Sequence, residues 1–169
     1  LHTGIRAGEI FKLRWGAVDL ENDTLTIPDS KSGKTRYAYL TEDTKEMLEG
    51  LKEDQAPDQF VFISKFGENV TEISNSFERA VKNDTDLNNG VSDRRQKVTF
   101  HTLRHTFASW LVQDGTSLYV VKELLGHHSI QLTERYSHLQ PDGPKKAIKA
   151  FDKKRQVGKN QGKVINLNQ

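Results

Sequence analysis

Six side chains of the 169-residue chain have the types and spacing to handle a phosphate group: Arg6, Lys31, His101, Arg104, His127 and Tyr136. His101 and Arg104 are one helical turn apart, so a helix would set both on one face. A guanidinium clamps two oxygens at once and an imidazole titrates near neutrality, which suits an oxyanion. Taken alone, such a pair is a surface cluster, and Tyr136 on an apolar helix is a core residue. Other chemistries fail on inspection. Ser32-Gly33-Lys34-Thr35 ends like a nucleotide-binding loop, but Pro28 stands where that loop needs its first glycine. Asp84, Asp86 and Asn88 begin like a calcium loop, but Asn89 replaces its turn glycine and Arg95 its final glutamate. His101 and His105 have zinc-ligand spacing without the glutamate of the metalloprotease pattern, because Thr102 occupies its place. A hydrolytic metal site from His101, His105, His127 and His128 is the one metal alternative; the reading adopted has no metal and no cofactor. The absence of cysteine excludes disulfides, thiolate metal sites and cysteine nucleophiles.

The elements that must position these groups can be read coarsely. Ile10, Phe11 and Leu13 suggest a short helix after the Thr3-Gly4 turn. Val18–Leu20, Thr24–Pro28 and Arg36–Leu40 are strand-like runs separated by turn residues, which predicts an antiparallel meander. Met47, Leu48 and Leu51 predict a helix with Thr41 as its N-cap. Phe60–Ile63 is an apolar run of ambiguous type. Ile73, Phe77, Ala80 and Val81 are spaced as an amphipathic helix, and residues 84–97 as a long polar loop. Leu103, Phe107, Trp110 and Leu111 repeat the helical spacing, with Phe107 and Trp110 expected in the core and Gly115 as a C-cap. Ser117 would cap a helix with Val121, Leu124 and Leu125 inward, ended by Gly126. Ser129 would cap another running through Leu132 and Tyr136 to about Leu139. Pro144 suits the first position of a last helix with Ala147, Ile148 and Phe151 inward. The fold class is α+β, predominantly α-helical, with a small three-stranded antiparallel sheet near the N-terminus.

In order, Thr3-Gly4-Ile5-Arg6 with Glu9, His101-Thr102-Leu103-Arg104-His105, and Leu124-Leu125-Gly126-His127 with Tyr136-Ser137-His138 resemble the catalytic domain of the tyrosine recombinases, the phage-type integrases. The step from His127 to Tyr136 is the family's spacing, and the resemblance runs from Leu1 to about Leu139 with an unmatched stretch between Thr41 and Lys97. It implies a site-specific DNA recombinase that cuts and rejoins DNA through a 3′-phosphotyrosyl intermediate. Tyr136 would be the nucleophile, His101 the candidate base, Arg6 and Arg104 the clamp on the non-bridging oxygens, and His127 a further donor. Lys31, in the turn between the second and third strands, would protonate the departing 5′ oxygen; Lys34 in the same turn is its rival. Glu9 would orient Arg6. His105 would pack or hydrogen-bond within its own helix, and His128 and His138 would be neighbours of the site. Arg94, Arg95 and Lys97 would contact DNA backbone or be solvated. Alternatives are a type IB topoisomerase and a non-catalytic DNA-binding relic.

Charge is unevenly spread. Residues 1–93 carry a balance of −7 and residues 94–169 one of +9, within a net charge of +2. A basic half suggests a polyanion-binding face, although the lysine-rich tail supplies much of it. Mean hydropathy is −0.71, and no run approaches the length of a membrane helix. The expected partners are double-stranded DNA at recombination sites, copies of the chain forming a tetramer on DNA from a free monomer, and accessory DNA-bending proteins, with no membrane and a cytoplasmic, nucleoid-associated location. The expected organisation is a catalytic domain over 1–140 and a C-terminal helix with a basic tail over 141–169, docking in cis or trans. Beginning at Leu1, the chain reads as an excised catalytic domain whose N-terminal clamp domain lies elsewhere.

Overall fold

Thr3 to Arg6 enter the fold through Gly4, whose φ is +61°. A Cβ there would also lie 2.3 Å from the ring of Phe107, so glycine is required both by its backbone and by its neighbour. The computed structural model describes residues 1–28, 35–73, 75–83, 85–141 and 143–160. The short helix α1 (Ala7–Phe11) follows at once. The meander is as expected: β1 (Val18–Asp19), β2 (Thr24–Pro28) and β3 (Thr35–Tyr39) pair antiparallel in that order, with Leu25 opposite Ala38. Strand alternation sends Leu25, Ile27 and Ala38 inward and leaves Tyr37 and Tyr39 exposed. The hairpin turn that holds Lys31 and Lys34 lies outside the described residues.

A first core gathers Ile5, Leu13, Trp15, Leu25, Ile27, Ala38, Leu48 and Val61 beneath the sheet. Leu48 comes from α2 (Glu42–Leu51), which starts after Thr41 as expected, but the Thr41 hydroxyl meets those of Thr44 and the ring of His2 rather than capping a backbone N–H. Phe60–Ile63 resolves as two isolated bridges, Arg14 with Phe60 and Ile63 with Asn69. Ile73 lies before α3 (Asn75–Asn83), not on it; Val81 supplies the buried position and Phe77 meets Phe100 edge-on. The loop toward residue 97 turns at residues 86–91 and again at Arg94–Gln96.

The second core, Ala108, Val112, Val121, Leu125 and Tyr136, is built by α4 (Phe100–Gln113), α5 (Leu118–Leu125) and the segment that follows them. The deepest line of α4 is Arg104, Ala108 and Val112, at i, i+4, i+8. Leu103, Phe107 and Leu111 flank this line, and Trp110 is 50% exposed rather than core. The centre of the face carries a charged residue and small ones, so hydrophobic spacing picks out its edge. Ser117 caps α5 by accepting from the Val120 N–H, and Gly126 ends it at φ +64°. The next helix is shorter than expected: α6 spans Gln131–Glu134, with Ile130 at its N-cap while Ser129 accepts from the Gln131 N–H. The chain breaks at Tyr136 into a single tight turn, Ser137–Leu139, which Leu139 packs against the second core. The last helix, α7 (Gly143–Asn160), is long, but Ile148 and Phe151 are 68% and 58% exposed, so its apolar residues do not face inward.

Candidate active site

Arg104 is the centre of the arrangement. Only 6% exposed on α4, it donates from Nη1 to the Gly4 carbonyl and from Nη2 to the Leu125 carbonyl, both at 2.5 Å. A buried guanidinium is costly unless hydrogen-bonded, and these carbonyls supply the partners. Burial, followed by the charge of Arg6, lowers its pKa to about 10, so it stays charged at neutral pH. The same bonds tie the Thr3–Arg6 entry, α4 and the end of α5 together, which joins the two cores.

Arg6 is braced from two sides. Its guanidinium donates to Glu9 Oε1 at 2.9 Å and to the Gly126 carbonyl at 3.0 Å, while its backbone N–H donates to Glu9 Oε2 at 2.7 Å. Glu9 therefore orients Arg6, and it also accepts from Arg36 Nη2 at 2.6 Å. Arg36 reaches on to the Leu124 carbonyl and lies across Gly126, where a Cβ would come within 2.2 Å of its Nε. Arg6, His101 and Arg104 line one cavity of about 110 Å³ between the chain entry and the start of α4.

His127 follows Gly126, and its Nδ1 pairs with the fully buried Thr133 hydroxyl at 2.8 Å, which fixes the ring. Burial first, then Arg104, Arg6, Arg135 and His128, lower its pKa to about 4, so the ring is neutral at pH 7. In the tautomer whose Nδ1 accepts from the Thr133 hydroxyl, Nε2 carries the hydrogen and is the donor. Tyr136 is 6% exposed; burial raises its phenol above the usual range, with Arg135 and Arg104 opposing. Its hydroxyl lies 2.5 Å from His105 Nδ1. His105 thus bonds across to Tyr136 rather than within its own helix, and His101 meets the His105 ring edge-on, 4.6 Å between centroids. Burial, then Arg104, Arg6 and Arg135, lower the pKa of His101.

Arg6, Glu9, His101, Arg104, His105, His127 and Tyr136 are thus brought together from the chain entry, α4 and the segment after α5. Arg94, Arg95 and Lys97 stand apart, exposed on the loop before α4, with Arg95 paired to Asp93. His128 and His138 are exposed. Three contributors had no sequence signal of their own: Arg36 sits in a motif read for its lysines, Thr133 resembles any helix threonine, and Arg135 is an ordinary surface charge. Among the described residues, no group of three or more His, Asp or Glu side chains could hold a metal ion, and no helix is long and apolar enough to cross a membrane.

The phage integrase family model matches residues 1–142, and the chain belongs to that family. It is 28% identical over 142 residues to tyrosine recombinase XerA of Saccharolobus solfataricus, covering 84% of this chain and 44% of XerA. The chain spans about half the length of the curated relatives it matches or less. Among solved structures, it resembles the catalytic domain of bacteriophage HP1 integrase with a TM-score of 0.62 and 28% identity, over 87% of this chain and 74% of that one. It also resembles the XerH site-specific recombinase bound to its difH substrate, with a TM-score of 0.62 and 25% identity over 87% of this chain and 43% of that one. The fold is that of a tyrosine recombinase catalytic domain.

Proposed function

We propose that the chain is the catalytic domain of a site-specific DNA recombinase that cuts and rejoins duplex DNA through a 3′-phosphotyrosyl intermediate on Tyr136. The observation that carries this reading is the pair of guanidinium groups, Arg6 and Arg104, braced on protein acceptors around one cavity with His101, in the same cluster as the Tyr136 phenol. Attack by the Tyr136 oxygen on phosphorus forms the O–P bond as the bond to the 5′ oxygen breaks, leaving a 5′-hydroxyl. The bond energy is kept in the phosphotyrosine, so rejoining needs neither ATP nor a cofactor. Negative charge grows on the non-bridging oxygens, where the remaining N–H groups of Arg104 and Arg6 would clamp it and His127 Nε2 would add a donor. Donors fixed before the reaction need no reorganisation, and losing one typically costs on the order of 100–1,000-fold in rate. His101, on the cavity wall, would take the phenolic proton as Tyr136 attacks, and Lys31, with Lys34 as its rival, would protonate the 5′ oxygen.

The partners that follow are duplex DNA at recombination sites, further copies of the chain in a DNA-bound tetramer, and accessory DNA-bending proteins; the place of action is the bacterial cytoplasm. Arg94, Arg95 and Lys97 add backbone contacts. The experiment incubates the chain with a pool of nicked duplexes of randomised sequence, in which the nick lets the cleaved end diffuse away and traps the adduct. The wild type accumulates covalent protein–DNA adduct, and Tyr136→Phe, which keeps the ring and its packing, accumulates none. An adduct formed by the Phe variant refutes the assignment.

A further inference from the structure

His127 is neutral at pH 7, so only one of its ring nitrogens carries a hydrogen, and the ring donates to an oxyanion only through that one. Which nitrogen it is depends on the partner of the other. Nδ1 lies 2.8 Å from the Thr133 hydroxyl, and the distance alone fits two arrangements. Either the hydroxyl donates to Nδ1, or Nδ1–H donates to the hydroxyl. Only the first puts the hydrogen on Nε2.

The burial of Thr133 decides between them. The residue is fully buried, so water cannot receive its hydroxyl hydrogen. A helix threonine often sends that hydrogen to the carbonyl four residues back, as Thr106 does to Thr102 at 3.0 Å. Thr133 does not: among the described residues its hydroxyl meets His127 Nδ1 and no other group. Were Nδ1–H the donor, the buried O–H would keep a hydrogen with no acceptor, an arrangement that folded proteins avoid.

We infer that Thr133 is a positioning residue for the phosphate: its buried hydroxyl donates to His127 Nδ1, which holds the ring in one orientation with its single N–H on Nε2. This deepens the proposed function and rests on it, since the donor matters only where a phosphate receives it. The groups around the ring keep Nδ1 an acceptor, because Arg104, Arg6, Arg135 and His128 all oppose a second proton there. The frame on each side is also fixed. Arg6 donates to the Gly126 carbonyl at 3.0 Å, so His127 follows directly on a residue bonded to the proposed clamp. Thr133 accepts the Tyr136 N–H through its own carbonyl at 3.0 Å. Its side chain thus serves a proposed phosphate donor, and its backbone holds the segment of the proposed nucleophile.

Two measurements test the inference. The first needs no DNA: in the 169-residue chain with nitrogen-15 histidine, spectra near pH 7 should show the His127 hydrogen on Nε2 and Nδ1 as a hydrogen-bonded acceptor. Thr133→Val should move the Nδ1 resonance, and Thr133→Ser should leave it near its wild-type position. A hydrogen on Nδ1 in the wild type, or a resonance that Thr133→Val does not move, overturns the inference.

The second compares adduct formation on the nicked duplexes. Thr133→Val keeps the branched shape and removes the hydroxyl, so it should slow the reaction by roughly 10- to 100-fold with DNA affinity within about threefold. Thr133→Ser, which keeps the hydroxyl, should recover most of that loss. In a His127→Ala background, Thr133→Val should add less than about twofold, because no ring remains for the hydroxyl to hold. An equal loss in both backgrounds would make Thr133 a packing residue, and a Val variant within about threefold of the wild type would make the bond dispensable; either overturns the inference. If the wild type traps nothing, or Tyr136→Phe still traps DNA, the proposed function fails and the phosphate role of Thr133 with it, whereas the resonances alone judge the bond.

Discussion

Glu9 holds two guanidinium groups that come from different parts of the chain: Arg6, three positions away, and Arg36, on β3. One carboxylate thereby fixes an arginine of the cavity relative to the sheet. Charge-assisted bonds of this kind are worth roughly 1.5–3 kcal/mol each, or about 10- to 100-fold in an equilibrium or rate. Glu9→Gln keeps the shape and loses the charge, so adduct formation should fall by about that factor while DNA affinity changes by less than about threefold. Equal losses in affinity and rate, measured by titration and by adduct kinetics, would show that Glu9 serves binding instead. Arg104 follows a different logic, because its burial is tolerable only through the Gly4 and Leu125 carbonyls. Those partners lie 100 and 21 positions away, which is why no local pattern marks Arg104 as the deepest residue of its helix face. The arginine and histidine types of the site are legible from their spacing; their supports, Arg36 and Thr133, are defined only by contacts made on folding.

Elements set by short-range signals are the legible ones. The meander follows from turn residues between strand-like runs, and α5 from Ser117 at one end and Gly126 at the other. What escapes is set by tertiary packing: α6 stops after Glu134 because Thr133 and Tyr136 are drawn into the core, and Trp110 stays exposed because Arg104, Ala108 and Val112 occupy the inward line. Gly126 shows the difference between local and tertiary demands. Gly115 has a φ of +88° with no neighbour within 4 Å of a notional Cβ, whereas Gly126 has a φ of +64° and Arg36 lying across it. Gly126→Ala should therefore destabilise the fold by more than Gly115→Ala, where only the backbone term of about 1 kcal/mol applies. In a double-mutant cycle by urea unfolding, Arg36→Ala should relieve part of the Gly126→Ala cost. Additive effects would show that the contact is not limiting.

At the scale of the whole molecule, two cores are joined at the site, and one helix stands apart from both. The described side chains of α7 over residues 143–156 are exposed, Ile148 and Phe151 among them, and the segment is rich in lysine. A helix with so few apolar groups gains its stability by docking. We propose that α7 docks on a neighbouring copy in the DNA-bound assembly, only a few residues after Tyr136, which would couple assembly to cleavage. Deleting residues 144–169 should leave the melting temperature within about 2 °C, because α7 buries little against its own chain, and should leave cleavage of a single half-site intact. Cooperative assembly on paired sites, read by gel shift, should weaken. Unchanged cooperativity would reduce α7 to a basic, solvated arm.

The central claim, a phosphotyrosine at Tyr136, is tested most directly by digesting the trapped adduct and sequencing its peptides by mass spectrometry, after a reaction run in EDTA. The expected product is a nucleotide remnant joined through its 3′-phosphate to the peptide containing Tyr136, with a 5′-hydroxyl on the released strand and no loss of yield in the chelator. DNA joined to another residue, a 5′-phosphate linkage, or cleavage that EDTA abolishes without any adduct would contradict it.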